Sequence, residues 1–275
     1  MRTLIKKTTD ELSNIVFILN GKNPWSFGYN IYKWKMIENY LQSDVFNKGN
    51  LITNYGFRID ERIIEYPWLL SRLPNDEGIL LDAGSTLNFE LILNQPSLQS
   101  KKIFISTLAP EGNCYWKRGI SYIFEDLRNC CYRDNLFDYV ACISTAEHIG
   151  LDNTILYTKD LSKKEHTPNT YLNAINEFYR IIKPGGILYL TLPFGKKQTR
   201  GWFQVFDSQM IDEIITTFNP SLVMENHFRY QPAGWEKSSR ELSKDATCFD
   251  IHQQKEYDPD FAAFSRGIIC MEMKK

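Results

Sequence analysis

Three short segments of the chain place carboxylates, glycine or imidazole directly after runs of apolar residues. Asp82 and Gly84 follow one such run, Asp126 follows a second, and Glu147 and His148 follow a third. A carboxylate at a strand end can accept hydrogen bonds from a ligand, small residues let the backbone approach that ligand, and histidine titrates near neutral pH. Together these residues predict a site that binds a polar small molecule and moves a proton.

The turn after the first run contains a single glycine. Taken alone, it is compatible with a ligand-binding loop and equally with an ordinary strand-to-helix turn of an α/β protein. The dinucleotide-binding motif requires a second and a third glycine after Gly84, and neither is present in the residues that follow it. A nicotinamide-dependent oxidoreductase is therefore the weaker interpretation.

The candidates for a general base lie in the third segment, on the loop that follows it and in the C-terminal part of the chain. His148 is the only histidine predicted at the ligand edge of a strand, where it acts either as a base or as a packing residue. Asp152 either binds a hydroxyl group of the bound molecule or caps a turn. His227 is predicted on a loop that covers the bound molecule. Trp202 is predicted in a loop, where it stacks on a sugar ring or fills the core.

Seven short apolar runs must position these residues. From residue 78 onward the runs alternate with amphipathic segments, which is typical of βα units on a parallel sheet buried on both faces. Ligands of an open α/β sheet bind beyond the carboxyl ends of its strands, so the three segments should meet at one edge. The predicted strands are Ile79–Leu81, Ile103–Ser106, Tyr122–Phe124, Tyr139–Ile143, Ile187–Leu192, Leu222–Glu225 and Ile268–Met273.

Apolar residues at helical spacing predict two helices between these strands. The first covers 171–182 and is followed by a turn at residues 183–186, whereas the second covers 207–218 and is stopped by Asn219 and Pro220. Residues 1–77 differ in character, with many aromatic residues and poor periodicity. They predict a mostly helical extension, or lid, that packs on a main domain of residues 78–275.

Composition and charge narrow the class of protein. The 275 residues are 43% hydrophobic, and 32 Lys and Arg oppose 33 Asp and Glu, which argues against a surface that wraps nucleic acid or coats an anionic membrane. No run of 18 apolar residues predicts a membrane span, and Asp10 and Glu11 interrupt the place of a signal peptide's apolar stretch. The six cysteines form no CxxC pair, so a thiolate metal site is not expected. We therefore predict a soluble cytoplasmic protein without a metal.

Four motifs at their observed spacings resemble the class I S-adenosylmethionine-dependent methyltransferases. They are Leu81-Asp82-Ala83-Gly84, Glu125-Asp126-Leu127, Phe137 to Ile143 followed by Glu147-His148-Ile149, and Arg180 to Leu188. The match covers about residues 78–275, and the segments 84–88, 144–150, 201–207 and 267–274 resemble a bacterial subgroup associated with surface-polysaccharide gene clusters. The resemblance implies a Rossmann-like, three-layer αβα fold with a seven-stranded, mostly parallel sheet and an antiparallel last strand.

The resemblance also implies which residues bind S-adenosylmethionine. Asp82 and Gly84 would hold its methionine part, Asp126 the adenine amino group, and the backbone NH of Leu127 the ring. Thr107 stands where an acidic ribose-binding residue is usual, which departs from the family pattern. The predicted cofactor residues are Asp82, Gly84, Ser85, Thr107, Asp126, Leu127 and Ser144.

The reaction expected from the resemblance is transfer of a methyl group to a small-molecule or glycan acceptor. A sugar hydroxyl is the preferred acceptor, with His148, Asp152 and His227 as the candidate catalytic residues. Two alternatives stay open: N-methylation of a small amine, and a cofactor-binding or inactive scaffold protein.

Overall fold

A twisted sheet of eight strands forms the centre of the molecule in the computed structural model, which describes residues 2–43, 46, 51–158, 160–250, 252 and 264–275. The strand order is β3-β2-β1-β4-β5-β10-β8-β9, and β6 pairs with β7 in a separate hairpin. The strands are β1 (Gly78–Ala83), β2 (Lys101–Thr107), β3 (Ser121–Phe124), β4 (Phe137–Ile143), β5 (Ile182–Pro193), β6 (Gln198–Thr199), β7 (Gln204–Val205), β8 (Leu222–Gln231), β9 (Gly234–Ser238) and β10 (Gly267–Lys274).

Strands β1 to β5 run parallel to one another, and β10 runs antiparallel to both of its neighbours, β5 and β8. All seven predicted strands are present, and the antiparallel last strand is confirmed. The prediction of seven strands was wrong by one, because β9 forms a hairpin with β8 at the edge of the sheet. The segment that forms β9 contains Trp235 between Gly234 and the charged residues Glu236 and Lys237, a mixed pattern that indicates a loop as readily as an edge strand.

Helices cover both faces of the sheet, so that alternate residues of each central strand enter two different apolar clusters. On β4, Ala141 and Ile143 belong to one cluster, and Val140 and Cys142 belong to the other. Burial on both faces explains why these strands read as continuous apolar runs. The helices are α1 (Arg2–Leu19), α2 (Tyr29–Ser43), α3 (Arg62–Leu70), α4 (Glu90–Leu93), α5 (Pro96–Gln99), α6 (Thr154–Tyr157), α7 (Tyr171–Ile181), α8 (Ser208–Phe218) and α9 (Arg240–Ser243).

The two predicted helices are α7 and α8. The Asp207 side chain caps α8 by accepting a hydrogen bond from the Met210 NH at 3.0 Å. At the other end Asn219 adopts a left-handed conformation, with φ of +49°, directly before Pro220. Helix α7 ends at Ile181, and β5 begins at the next residue.

Helices α1 to α3, within the predicted extension, share one apolar cluster with the sheet. Phe17 of α1, Ile37 of α2 and Ile64 of α3 are fully buried in it together with Leu80 of β1 and Ile268 of β10. Residues 44, 45 and 47–50 of this extension lie outside the described part of the chain. None of the described helices combines the length and the apolarity needed to cross a membrane.

Candidate functional site

The candidate site lies between the carboxyl ends of β1 and β4, where the direction of strand addition reverses. The chain proceeds from β1 to β2 and β3 on one side, and from β4 to β5 on the other. Such a reversal opens a crevice in α/β sheets. Gly84 and Thr145 meet there, and a Cβ atom on Gly84 would lie 2.1 Å from the Thr145 Oγ1. Gly84 also has a φ of +115°, so both its conformation and its surroundings require glycine.

Asp82 holds the turn that contains Gly84. Its side chain is fully buried, and its two carboxylate oxygens accept hydrogen bonds from the backbone NH groups of Thr86 at 3.1 Å and Leu87 at 2.9 Å. Burial raises the pKa of Asp82 to about 7 despite these bonds. Asp82 therefore positions the turn from below and does not line the cavity above it.

Two serines at this edge adopt the left-handed conformation that normally favours glycine. Ser85 has a φ of +62° and Ser144 a φ of +42°, one after β1 and one after β4. Non-glycine residues in this region store strain and concentrate at functional sites. The Ser85 Oγ is buried and has no hydrogen-bond partner among the described residues.

The first of two adjoining cavities has a volume of about 470 Å³ and lies over the ends of β1, β2 and β3. Four of the predicted cofactor residues line it, namely Gly84, Thr107, Asp126 and Leu127. The remaining lining residues are Leu108, Arg128, Thr145, His148, Ile149, Gly150, Asn153, Tyr157 and Glu165. The buried Oδ1 of Asn153 has no partner within the described ranges, so it offers an acceptor to a bound molecule.

Asp126 is engaged by a neighbouring arginine. The Arg128 guanidinium donates to its carboxylate, with the shortest distance of 2.6 Å between Nη2 and Oδ2, and also pairs with Glu165 at 2.6 Å. Burial alone would raise the pKa of Asp126, but these hydrogen bonds hold it below the usual value. Arg128 thus joins the turn after β3 to the loop that holds Glu165, and the pair forms one wall of the first cavity.

The second cavity, of about 780 Å³, lies beside the first, and the two share Gly84, Thr145, His148 and Tyr157. It differs from the first cavity in its charged groups, which come partly from α3 and the residue before it. Its other lining residues are Glu61, Arg62, Thr86, Ser144, Glu147, Leu156, Pro193, Trp202, Phe203 and Phe264.

Two carboxyl groups of the second cavity are incompletely paired. The Oε2 atoms of Glu61 and Glu147 are buried and have no hydrogen-bond partner in the described part of the chain. Glu147 is 3% exposed, and burial, assisted by the charge of Glu65, raises its pKa to about 8. Burial and the neighbouring Asp60 likewise raise the pKa of Glu61 to about 8.

His148 is oriented by a backbone carbonyl. Its Nδ1 lies 2.9 Å from the Trp202 carbonyl oxygen, so Nδ1 carries the proton and Nε2 is left as an acceptor. The Nε2 is 3.9 Å from Glu147 Oε1, too far for a hydrogen bond. Burial lowers the pKa of His148 to about 4, so the ring is neutral at pH 7.

A buried glutamate ties α3 to the ends of β4 and β5. Glu65 is fully buried, and its Oε1 accepts hydrogen bonds from the hydroxyls of Ser144 and Thr191, each at 2.6 Å. Its Oε2 pairs with Arg62 at 2.6 Å. The Ser144 side chain therefore lies on the wall of the second cavity and binds Glu65, whereas the sequence predicts it beside the cofactor.

The structure does not bring Asp152 and His227 to either cavity. Asp152 caps the turn at Thr154 and pairs with Lys164 at 3.1 Å. His227 is buried in β8, where its Nε2 lies 3.0 Å from Glu225 Oε2. The ring of Trp202 stacks on His148 with 5.1 Å between centroids and also lines the second cavity, so its position is compatible both with core packing and with contact to a bound molecule.

Sequence reasoning missed the contribution of Glu61, Arg62 and Glu65 to the site. Charged residues on a short helix usually indicate a solvated face. The neighbouring apolar residues in the sequence could have indicated that this helix is buried, because Ile63, Ile64 and Trp68 leave α3 little exposed surface.

Comparisons with known proteins find only overall structural similarity to solved proteins of low sequence identity. No protein-family model matches the chain, and a search of curated proteins finds no match. An S-adenosylmethionine-dependent methyltransferase from Thermotoga maritima is 14% identical with a TM-score of 0.47 and covers 88% of this chain and 100% of its own. A 1,6-didemethyltoxoflavin N1-methyltransferase from Burkholderia thailandensis, solved with S-adenosylhomocysteine, is 10% identical with a TM-score of 0.46, covering 88% of each chain. The [4+2]-cyclase SpnF is 17% identical with a TM-score of 0.41 and covers 69% of this chain and 72% of its own.

Proposed function

We propose that this chain is an enzyme that transfers a methyl group from S-adenosylmethionine to a small-molecule acceptor. The observation that carries the proposal is the pair of joined cavities at the switch between β1 and β4. The first collects residues from the turns after β1, β2 and β3, as a nucleoside-containing ligand requires, and the second brings titratable groups to the same junction.

The residues of the first cavity fit the proposed cofactor. Its volume lies in the range of small-molecule sites, about 300–1,000 Å³, and the turn at Gly84 exposes backbone without a side chain. Asn153 and Leu127 would contact the nucleoside, and Asp126 would reach it only in competition with Arg128. When bound, S-adenosylmethionine supplies a sulfonium methyl, whose bond to sulfur breaks as the acceptor atom bonds to the carbon.

The protein's own part is to position the acceptor, exclude water and remove its proton. His148 and Glu147 lie where this proton would be released, and His148 borders both cavities. A sugar hydroxyl, the acceptor preferred from the sequence resemblance, would need such a base. We further propose that residues 1–77 provide a wall of the acceptor cavity and that the protein acts in the cytoplasm, since a reducing compartment suits its six free cysteines.

S-adenosylhomocysteine binding tests the proposal. We expect this product analogue to raise the melting temperature of the full chain, because a ligand held only by the folded state stabilises it by mass action. Gly84→Ala should abolish that shift, since the new Cβ meets Thr145 and the φ of +115° disfavours alanine.

Gly119→Ala is a matched control, because Gly119 also has a positive φ but has nothing within 4 Å of an added Cβ and lies outside both cavities. It should bind S-adenosylhomocysteine as the parent does. No shift for the parent at millimolar ligand would refute the proposed function.

A further inference from the structure

The second cavity contains more carboxyl groups than its cations neutralise. Glu61, Glu147 and the adjacent Glu65 face one arginine, Arg62, whose guanidinium is already paired with Glu65 at 2.6 Å. His148 is neutral near pH 7 because burial lowers its pKa to about 4. The carboxyl groups that have no cationic partner of their own are therefore those of Glu61 and Glu147.

These two carboxyl groups also lack hydrogen-bond donors. The Oε2 of each is buried without a partner in the described residues, and Glu147 is 3% exposed as a whole. A buried polar atom left unpaired costs free energy in proportion to its lost hydration, and a buried charge costs more. Two unpaired carboxyl oxygens on the wall of one cavity indicate a ligand that brings both hydrogen-bond donors and positive charge.

Three kinds of ligand could meet the carboxyl pair, and their chemistry distinguishes them. A hydroxyl supplies one donor and no charge. A divalent metal ion needs more ligands, and no group of three His, Cys, Asp or Glu that could hold one occurs in the described ranges. An ammonium group supplies three donors and one positive charge.

On the basis of the proposed function, we propose that the methyl acceptor is an amine, whose ammonium group is bound between Glu61 and Glu147. In the ionised form both carboxylates are hydrogen-bond acceptors only, and each accepts a hydrogen bond from one N–H group of the ammonium. Aromatic side chains that line the same cavity, Tyr157, Phe203 and Phe264, suit the apolar part of such a molecule and attract cations at their ring faces.

Glu147 then has a second role, as acceptor of the proton that the amine must lose. The nitrogen lone pair forms the bond to the methyl carbon, the carbon–sulfur bond breaks, and the sulfonium charge is lost to give a neutral thioether. The nitrogen becomes positively charged as it bonds to carbon. One N–H proton of the bound ammonium must pass to the Glu147 carboxylate before that bond forms, because an ammonium nitrogen has no lone pair, and no further reactant is needed.

The test compares matched amines and alcohols by calorimetry at pH 8.5. The probes are benzylamine, 2-phenylethylamine and cyclohexylamine, each paired with its alcohol, with and without saturating S-adenosylhomocysteine. We expect at least one amine to bind the parent about tenfold or more tighter than its alcohol, as a charge-assisted hydrogen bond implies. Glu61→Gln and Glu147→Gln should each remove this preference and leave S-adenosylhomocysteine affinity within about threefold.

Glu241→Gln serves as the control, because Glu241 lies on α9 with an exposed side chain and outside both cavities. It should keep the amine preference. The ratio of the parent's affinities for an amine and its matched alcohol tests the inference even where a variant fails to fold.

The inference is overturned where no amine binds, where alcohols bind as tightly, or where both variants keep the preference. Failure of S-adenosylhomocysteine to bind the parent refutes the proposed function instead, and the arm without that ligand separates the two results.

Discussion

At the scale of single residues, Glu147 links the chemistry of the second cavity to stability. Its carboxyl has an ordinary pKa of 4.5 and a folded-state pKa of about 8. The folded protein therefore holds this proton more tightly, and the free energy of unfolding falls as the pH rises from about 4.5 to about 8. The groups that face Glu147 are Glu61, Arg62 and Glu65 around α3, Cys142 of β4, His148 and Tyr157.

We expect Glu147→Gln to be more stable than the parent above pH 7 and nearly equal to it at pH 4.5. One pKa unit corresponds to about 1.4 kcal/mol, so the difference should reach a few kcal/mol at pH 8. Urea unfolding of both proteins at several pH values between 4.5 and 8.5 measures it. Parallel stability curves would show that Glu147 ionises normally in the folded state.

At the scale of elements, the interaction of α3 with the ends of β4 and β5 depends on the buried Glu65, which pairs with the partly exposed Arg62. We expect Glu65→Gln to lower the free energy of unfolding by about 3–5 kcal/mol, because it leaves the Arg62 guanidinium without its partner. Replacing both residues, as in Glu65→Gln with Arg62→Met, should recover much of the loss.

Chemical denaturation of Glu65→Gln, Arg62→Met and the double variant forms a double-mutant cycle that measures the interaction between the two residues. Glu90→Gln, at the exposed start of α4, should change stability by less than about 0.5 kcal/mol. A Glu65→Gln variant as stable as Glu90→Gln would mean that Arg62 finds other partners.

The elements of the sheet were predictable because burial on both faces leaves a continuous apolar run in the sequence. The run that became β4 is an example, since Val140, Ala141 and Cys142 are all fully buried. The turn at Gly84 was predictable for the same reason, because its position follows from the end of β1. An edge strand such as β9 carries no such run.

The acceptor side of the site was not predictable to the same degree. Glu61 and Arg62 reach the cavity only because α3 packs against the sheet, a contact between segments remote in sequence. Asp152 and His227 have residue types that suit catalysis, but local hydrogen bonds hold them outside both cavities. Residue type and strand edge together predicted His148, which borders both cavities.

At the scale of the whole molecule, the shared apolar cluster predicts that the N-terminal helices and the sheet unfold together. Phe17 is fully buried in this cluster, beside Tyr29 and Tyr32. We expect Phe17→Ala to lower the free energy of unfolding by about 3–5 kcal/mol.

Far-UV circular dichroism and tryptophan fluorescence should then report one coincident transition, shifted as a whole. Phe27→Ala, whose side chain is 70% exposed, should leave that transition in place. Two separate transitions, with only the first affected by Phe17→Ala, would identify the extension as an independently folding unit.

The contacts of the segment before and within α3 also have a consequence for biosynthesis. The Trp235 indole donates to the Ile59 carbonyl across 176 positions of the chain, and the Arg58 NH donates to the Tyr230 hydroxyl across 172. Because a ribosome makes the N-terminus first, these early residues must wait for β8 and β9 before their partners exist. Closing such long loops is also slow. The segment around Arg58 and Ile59 would therefore stay exposed to chaperones until β8 and β9 are made, and the acceptor cavity that it adjoins would form late.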